Sequence, residues 1–246
     1  MSTRRILFPG LTLPVDDYRA FVAALPGETE VLDTLVTPVT GTAARLRAGL
    51  VVPEEPYEVV GHSVGAFAAL EWAAAHPLAV SRIVLLEPSD PWGTPVPVAL
   101  GGGAGRALVA VVSLLARSGL VARVLGRRGR ATLLGMYGVR HDPMPRSRID
   151  ELLGTRAGLV SAVRQVVAVP SQVERARMLL DGGFEIVTAD VVVIVAEDGA
   201  AADTAAAAAA ATRLSERLGA GTVVVPGGHL CPMTHPESTA AAVSRG

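Results

Sequence analysis

The sequence predicts an α/β fold with a mostly parallel sheet of about six strands, flanked by helices and carrying one helical insertion. Three observations support this prediction. Short apolar runs typical of strands alternate with segments of helical spacing. The alternation resumes after a long stretch without a clear strand. The run Val191–Ala196 is almost entirely β-branched, which is typical of a strand buried on both faces.

The first half of the chain contains four predicted strands, most of them closed by turn-forming residues. They are Ile6–Phe8, Glu30–Val36, Tyr57–Val60 and Ser81–Leu86. Helical spacing between them predicts three helices. These helices are Asp16–Leu25, Thr42–Leu50 and Ala66–Ala75.

Residues 96–180 contain helix-like spacing and no clearly placed strand, which predicts an inserted helical cap. The α/β core then comprises residues 1–95 and 181–246. The strand pattern returns in Val191–Ala196 and Thr222–Val225. The predicted closing helices are Thr204–Leu218 and Pro236–Ser244.

The composition excludes several functional classes. Among 246 residues, 50% are hydrophobic and 18% charged, so the chain can bury a core. The net charge of −1 gives no basic excess that would favour nucleic acid. All basic residues are arginines, which excludes lysine-dependent chemistry. A single cysteine, Cys231, excludes an internal disulfide and a cysteine-cluster metal site, and we expect neither metal nor cofactor.

Neither a signal peptide nor a membrane span is expected. Only three apolar residues precede Pro9 in the N-terminal segment, too few for a secretory signal. The longest near-continuous apolar stretch, Ala107–Ala116, is half of the roughly 20 residues that a span requires. We expect a cytoplasmic monomer or homodimer.

The pentapeptide GHSVG, residues 61–65, lies between a predicted strand and a predicted helix. This context gives the G-x-S-x-G pattern its meaning, because a sharp strand-to-helix turn exposes the serine hydroxyl above the sheet. Ser63 is therefore the candidate nucleophile. The amide of Val64, near the helix N-terminus, is a candidate oxyanion donor.

A serine hydroxyl needs a base, and a base needs an orienting carboxylate. His229 follows the last predicted strand on a glycine-rich loop, at the sheet edge where ligands bind in α/β folds. Asp198 follows the preceding strand and is the preferred acid. Glu87, after the strand that follows the nucleophile helix, is the alternative acid. Glu197 and Asp90 are weaker rivals.

The loop after the first strand, FPGLT, can supply the second oxyanion donor through the amide of Leu11. Further side chains are expected to contact substrate at the pocket floor or beneath the cap. They are Thr12, His62, Trp92, Met136 and Tyr137. An arginine-rich patch in the insertion could recognise a phosphate, as on an acyl carrier arm. It consists of Arg117, Arg123, Arg127, Arg128 and Arg130.

The order Ser63, Asp198, His229, together with FPGLT, GHSVG and GGHL, resembles the α/β-hydrolase family over nearly the whole chain. The resemblance implies a Ser–His–Asp hydrolase with a helical cap over the site. Two departures stand out. Pro9-Gly10 replaces the His-Gly common in the family, and the resemblance starts at what looks like the family's third strand, so we expect the usual first hairpin to be missing.

The expected reaction is hydrolysis of a carboxylic ester or thioester of a hydrophobic small molecule, through an acyl-enzyme. Apolar segments of the predicted cap favour such a substrate, and an acyl thioester stays open because of the arginines. The alternative is a lyase or cyclase on the same scaffold, since a fold does not fix its chemistry.

Overall fold

The computed structural model describes residues 3–93, 102–182, 189–197 and 204–245. Their six strands form one sheet in the order β2-β1-β3-β4-β5-β6, and every neighbouring pair is parallel. The predicted α/β fold class is confirmed. The strands are β1 (Arg4–Phe8), β2 (Glu28–Val31), β3 (Tyr57–His62), β4 (Val80–Leu86), β5 (Asp190–Ala196) and β6 (Gly221–Val225).

Helices connect the strands and cover both faces of the sheet. Within the described ranges, no single helix is both long and apolar enough to cross a membrane, although the helices Arg146–Leu152 and Arg156–Asp181, bent by 74° at the break between them, meet those criteria together. The helices are a 3₁₀ helix (Val15–Tyr18), α1 (Arg19–Ala24), α2 (Ala43–Arg47), α3 (Gly65–Ala75), α4 (Gly102–Leu115), α5 (Gly119–Met136), α6 (Arg146–Leu152), α7 (Arg156–Asp181), α8 (Thr204–Leu218), α9 (Cys231–Thr234) and α10 (Pro236–Arg245).

The core consists of two apolar layers, one on each face of the sheet. Successive side chains of a strand point to opposite faces. In β4, Ile83 and Leu85 therefore join one layer, and Val84 and Leu86 join the other. The first layer is closed by α2, α3, α7 and α8, and the second by α1, α9, α10 and the end of α5. Burial on both faces explains the continuous apolar runs of the central strands.

Two elements differ most from the sequence prediction. The second strand is Glu28–Val31 and not Glu30–Val36. The chain turns at Asp33, whose carbonyl accepts hydrogen bonds from the Val36 and Thr37 amides. The predicted helix Asp16–Leu25 is split into the 3₁₀ helix and α1.

Four helices, α4 to α7, occupy the described part of the predicted cap segment. The upstream boundary near residue 95 lies outside the described residues. The end of α7 is buried in the first core layer through Val173, Ala176 and Leu180. This helix thus packs directly on the sheet domain, and the division into core and cap stays a prediction.

A buried ion cluster joins α5 to the 3₁₀ helix. The Arg130 guanidinium donates two hydrogen bonds, of 2.9 and 2.8 Å, to the Asp17 carboxylate, and both side chains are 1% exposed. Arg130 also donates to Asp142 at 2.5 and 2.8 Å. Removing one partner from such a cluster leaves a buried charge uncompensated.

We expect Arg130→Met to lower the free energy of unfolding by about 3–5 kcal/mol, because Asp17 loses its buried partner. Urea denaturation measures this loss. The matched control is Arg128→Met, an exposed arginine on the same helix, which should change stability by less than about 0.5 kcal/mol. Equal effects of the two substitutions would contradict a structural role for the cluster.

Candidate active site

Ser63 lies on a sharp turn between β3 and α3. Its φ of 55° is a left-handed conformation that non-glycine residues rarely adopt. The flanking glycines make the turn possible. A Cβ at Gly61 would lie 2.6 Å from Ala66 Cα, and one at Gly65 would lie 2.1 Å from the Phe8 carbonyl oxygen. The GHSVG segment therefore forms the strained strand-to-helix turn that its context predicted.

His229 reaches the nucleophile from the loop between β6 and α9. Its Nε2 lies 2.9 Å from Ser63 Oγ, within hydrogen-bond distance for proton transfer. The predicted pairing of these two residues, 166 positions apart in the chain, is present in the structure. This nitrogen is placed to accept the proton of the serine hydroxyl.

Glu87 is the carboxylate beside His229. Its Oε2 lies 3.3 Å from His229 Nδ1, and its Oε1 accepts a 2.5 Å hydrogen bond from the Ala196 amide. The Glu87 amide donates to the Ile194 carbonyl at 2.8 Å, so the end of β5 holds both its backbone and its side chain. The φ of Glu87 is 43°, a second strained residue at a strand end.

The other carboxylates proposed for the acid role differ in placement. Asp198 lies outside the described residues, so the structure does not test it. Asp90 bonds the Trp92 amide at 2.9 Å and forms an ion pair with Arg213. Glu197 is exposed. Among the described carboxylates, Glu87 is the one that contacts His229.

Tyr137, predicted to contact substrate, stacks on the ring of His229, the candidate base. The Tyr137 and His229 rings lie 4.3 Å apart between centroids, at an interplanar angle of 23°. Burial and the nearby Glu87 charge raise the pKa of the Tyr137 hydroxyl, so the phenol stays neutral. The stack limits the rotation of the imidazole ring.

The loop after β1 packs against the nucleophile turn. A Cβ on Gly65 would also lie 2.5 Å from the Pro9 carbonyl oxygen. In the described part of the chain, neither the Leu11 amide nor the Val64 amide donates a hydrogen bond to protein. Backbone amides without partners beside a nucleophile are the elements of an oxyanion hole.

Two buried glutamines of α7 anchor this region, and sequence reasoning missed both. Gln165 accepts a 3.3 Å hydrogen bond from the Thr12 amide and donates to the Thr34 carbonyl at 2.8 Å. Gln172 donates to the Val64 carbonyl at 3.3 Å. The two residues are seven positions apart, so they share one helix face. The seven-residue spacing of these two side-chain amides was the feature of the sequence that could have identified them.

Ser89 is a third residue that sequence reasoning missed. Its hydroxyl lies 3.5 Å from Ser63 Oγ, and its amide donates to the Ser63 carbonyl at 3.3 Å. It follows Glu87 by two residues at the same sheet edge. Nothing in its sequence context distinguishes it from an ordinary loop serine.

A cavity of about 420 Å³ opens between α5 and α7. It lies beside the loop after β1, residues 9–12, which is the candidate oxyanion loop. Most of its wall is aliphatic, which suits an apolar group. The predicted contacts Leu11, Thr12 and Met136 line it. Its further lining residues are Leu125, Gly126, Gly129, Arg130, Thr132, Leu133, Leu153, Leu159, Ala162, Val163 and Val166.

Three predicted substrate contacts do not line this cavity. His62 is fully buried and bonds Tyr18 and the His229 backbone, so its prediction as a substrate contact is wrong. Trp92 packs against the first core layer. Tyr137 contacts the base, as described above.

The arginine-rich patch predicted to recognise a phosphate has carboxylate partners at two of its five positions. Arg127 forms an ion pair with Asp150, and Arg130 is buried between Asp17 and Asp142. These two guanidinium groups are therefore already paired with carboxylates of the protein. Among the described residues, no group of three or more His, Cys, Asp or Glu side chains could hold a metal ion.

The sequence profile described as "Alpha/beta hydrolase family" matches residues 6–242. The chain therefore belongs to the alpha/beta hydrolase family, as its motifs indicated. This family consists mostly of enzymes, such as esterases and lactonases. A search of curated proteins returned no significant match.

Solved structures share the fold over nearly the whole chain. Cfl2 from Burkholderia cenocepacia has a TM-score of 0.66 at 19% identity, covering 98% of this chain and 87% of that chain. A thermophilic esterase from Thermogutta terrifontis has a TM-score of 0.66 at 17% identity, with 98% and 88% covered. The enol-lactonase from Burkholderia xenovorans LB400 has a TM-score of 0.63 at 15% identity, with 99% and 90% covered. At these identities the likeness establishes the fold and not a shared substrate.

We expect Gly65→Ala to disrupt the nucleophile turn, because the added Cβ meets the backbone of β1. Overpacking of this kind costs about 1–3 kcal/mol. Thermal unfolding measures the loss. Gly135→Ala in α5 is the matched control, since its Cβ meets nothing within 4 Å, and it should stabilise the helix by about 0.5–1 kcal/mol. A Gly65→Ala protein as stable as this control would contradict the close packing.

Proposed function

We propose that the protein is a serine hydrolase that cleaves a carboxylic ester of a hydrophobic small molecule. The observation that carries the proposal is the chain of contacts Ser63 Oγ, His229 Nε2, His229 Nδ1 and Glu87 Oε2, at 2.9 and 3.3 Å. A nucleophile, a base and an orienting carboxylate in this arrangement are what acyl transfer requires.

In the proposed reaction, His229 Nε2 takes the hydroxyl proton as Ser63 Oγ attacks the ester carbonyl carbon. The carbonyl oxygen becomes an oxyanion, which accepts hydrogen bonds from the Leu11 and Val64 amides. His229 then gives its proton to the departing alkoxide, and the acyl group stays on Ser63. Water, deprotonated by His229, attacks the acyl-enzyme and releases the carboxylic acid.

We assign the orienting carboxylate to Glu87. It contacts the base, and the β5 backbone holds its second oxygen. Backbone strain gives a second argument. Among the described residues, the non-glycine residues with positive φ are Thr12, Ser63 and Glu87. Strain of this kind clusters at active sites, and Glu87 shares it with the nucleophile.

The substrate class follows from the cavity between α5 and α7. Its wall is mainly aliphatic, and it meets the oxyanion loop at Leu11 and Thr12. A carbonyl held at Ser63 would direct its acyl or alkyl chain into this space. A thioester would react by the same route. The commitment of Arg127 and Arg130 to carboxylates weakens the case for a phosphate-bearing carrier.

A fluorophosphonate probe and p-nitrophenyl esters of several chain lengths test the proposal. The wild-type protein should be labelled at Ser63 and turn over esters. Ser63→Ala should abolish labelling and lower kcat by a factor on the order of 10⁶. His229→Ala should do nearly the same. A folded wild-type protein with neither labelling nor turnover would overturn the hydrolase and favour a lyase or cyclase.

The same assay decides between the two candidate acids. Glu87→Gln should lower kcat by a factor on the order of 10⁴, because the amide no longer stabilises the imidazolium. Asp198→Asn is the matched change and should retain kcat close to the wild-type value. The reverse pattern would assign the acid to Asp198.

Gly129 offers a direct test of the cavity. It lines the cavity, and a Cβ there would meet nothing within 4 Å. Gly129→Leu should therefore fill the space and lower kcat/KM for long-chain esters at least tenfold relative to short ones, since a misfitted methylene costs about 10–200-fold.

Gly135→Leu on the same helix controls for helix propensity, because Gly135 is equally unobstructed and does not line the cavity. It should leave the chain-length profile unchanged. If both substitutions gave the wild-type profile, the acyl or alkyl chain would bind elsewhere.

A further inference from the structure

A chain of three hydrogen bonds connects the loop after β1 with the loop after β6. The Gly10 amide donates to the Tyr18 hydroxyl oxygen at 2.7 Å. That oxygen lies 2.5 Å from His62 Nδ1, and His62 Nε2 lies 2.7 Å from the His229 carbonyl oxygen. Tyr18 and His62 are both fully buried. This series of hydrogen bonds thus passes through His62, the residue that precedes Ser63.

The proton positions in this series of hydrogen bonds follow from its last acceptor, the His229 carbonyl oxygen. A backbone carbonyl only accepts, so His62 Nε2 must carry a proton and donate to His229. In the neutral ring His62 Nδ1 is then an acceptor, and the Tyr18 hydroxyl donates to it. The Tyr18 oxygen in turn accepts from Gly10. Only one arrangement of donors and acceptors therefore satisfies all three hydrogen bonds, and this fixes the geometry of the groups that form them.

The surroundings keep His62 neutral and in place. Burial, and to a lesser degree the nearby His229, lower the pKa of His62 to about 3. The ring also packs on Gly10, where a Cβ would lie 3.0 Å from Nδ1. The imidazole therefore stays a fixed, uncharged donor and acceptor at neutral pH.

We propose that His62 is a positioning residue that fixes the His229 loop and, through Tyr18, the oxyanion loop relative to Ser63. Its catalytic consequence rests on the function proposed above. The His229 ring must keep its 2.9 Å contact with Ser63, and its own backbone carbonyl is the atom that His62 holds. A displacement of about 1 Å between reacting groups can cost about 10²-fold in rate.

Tyr18→Phe tests the proposal by removing one hydroxyl and leaving His62 Nδ1 without its donor. The matched control is Tyr57→Phe. Tyr57 is also buried, and its hydroxyl accepts a 2.9 Å hydrogen bond from Trp72 Nε1 at the start of β3, the sheet edge opposite the site. Tyr18→Phe deletes two buried phenol hydrogen bonds, to Gly10 and to His62, and Tyr57→Phe deletes one, so both should lower the melting temperature.

Only Tyr18→Phe should impair the chemistry. We expect its kcat on p-nitrophenyl esters to fall about 10- to 100-fold, with KM within about twofold of wild type, because the reacting groups and not the acyl cavity are displaced. Its rate of fluorophosphonate labelling should fall in parallel. Tyr57→Phe should keep both rates. Equal kcat for the two variants would overturn the proposal.

The pair His62→Gln and His62→Leu separates hydrogen bonding from space filling. The Gln amide offers one donor and one acceptor, as the neutral ring does, whereas Leu offers neither. Gln should restore most of the activity that Leu loses. Equal losses in the two variants would show that His62 only fills space. If His62→Leu does not fold, the two Tyr→Phe variants still decide the question.

Imidazole ¹⁵N NMR gives a readout that does not need turnover. His62 should show the Nε2-protonated neutral form at pH 7. The His229 ring signals should shift in Tyr18→Phe and stay unchanged in Tyr57→Phe. A wild-type protein without turnover would overturn the hydrolase, whereas unchanged His229 signals in Tyr18→Phe would overturn the positioning role.

Discussion

The parallel register of the sheet is the constraint on which the site depends. Adjacent strands end nearly level, with His62 paired to Leu86, Leu86 to Ile194, and Ala196 to Val225. Every loop that follows a strand therefore leaves the same edge of the sheet. Residues far apart in sequence meet there because the backbone hydrogen bonds of five strand pairs fix their heights.

Backbone strain at this edge coincides with residues of the candidate site. Ser63 and Glu87 take a positive φ directly after β3 and β4, and Thr12 takes one in the loop after β1, at a cost of about 1–3 kcal/mol per residue. The surrounding structure over-determines these conformations. Gly65 allows the β1 backbone to approach the nucleophile turn, and the β5 backbone clamps Glu87. The strain is offset by packing that extends through the whole sheet.

The 3₁₀ helix links α5 to the residues around Ser63. Asp17 binds Arg130 of α5, while its neighbour Tyr18 binds His62 and Gly10. On the opposite layer, α7 reaches the oxyanion loop through Gln165 and the nucleophile helix through Gln172. Both contacts originate in the segment that the sequence marked only as helical. The helices α5 and α7 are thus tied to the loops that hold Ser63 and the candidate oxyanion donors.

The sequence by itself determined the α/β class and the six strands, and it predicted Ser63 and His229 as the candidate nucleophile and base. These features depend on local patterns: apolar periodicity, turn residues, and a G-x-S-x-G segment between a strand and a helix. The end of a strand was predicted less accurately where a turn interrupts an apolar run, as at Asp33 after β2. The pairing of Ser63 with His229 was predictable because both follow strands in a parallel sheet.

Only the tertiary structure decided which described carboxylate meets His229 and what His62 contacts. Both depend on distances between separate strand ends, and a sequence pattern contains no such distances. Glu87 reaches the base because a strained φ turns its side chain along β5. His62 is fully buried, with its two ring nitrogens on Tyr18 and on the His229 carbonyl. The partners of Gln165, Gln172 and Arg130 were likewise invisible, since long-range polar contacts are selected by packing and not by local sequence.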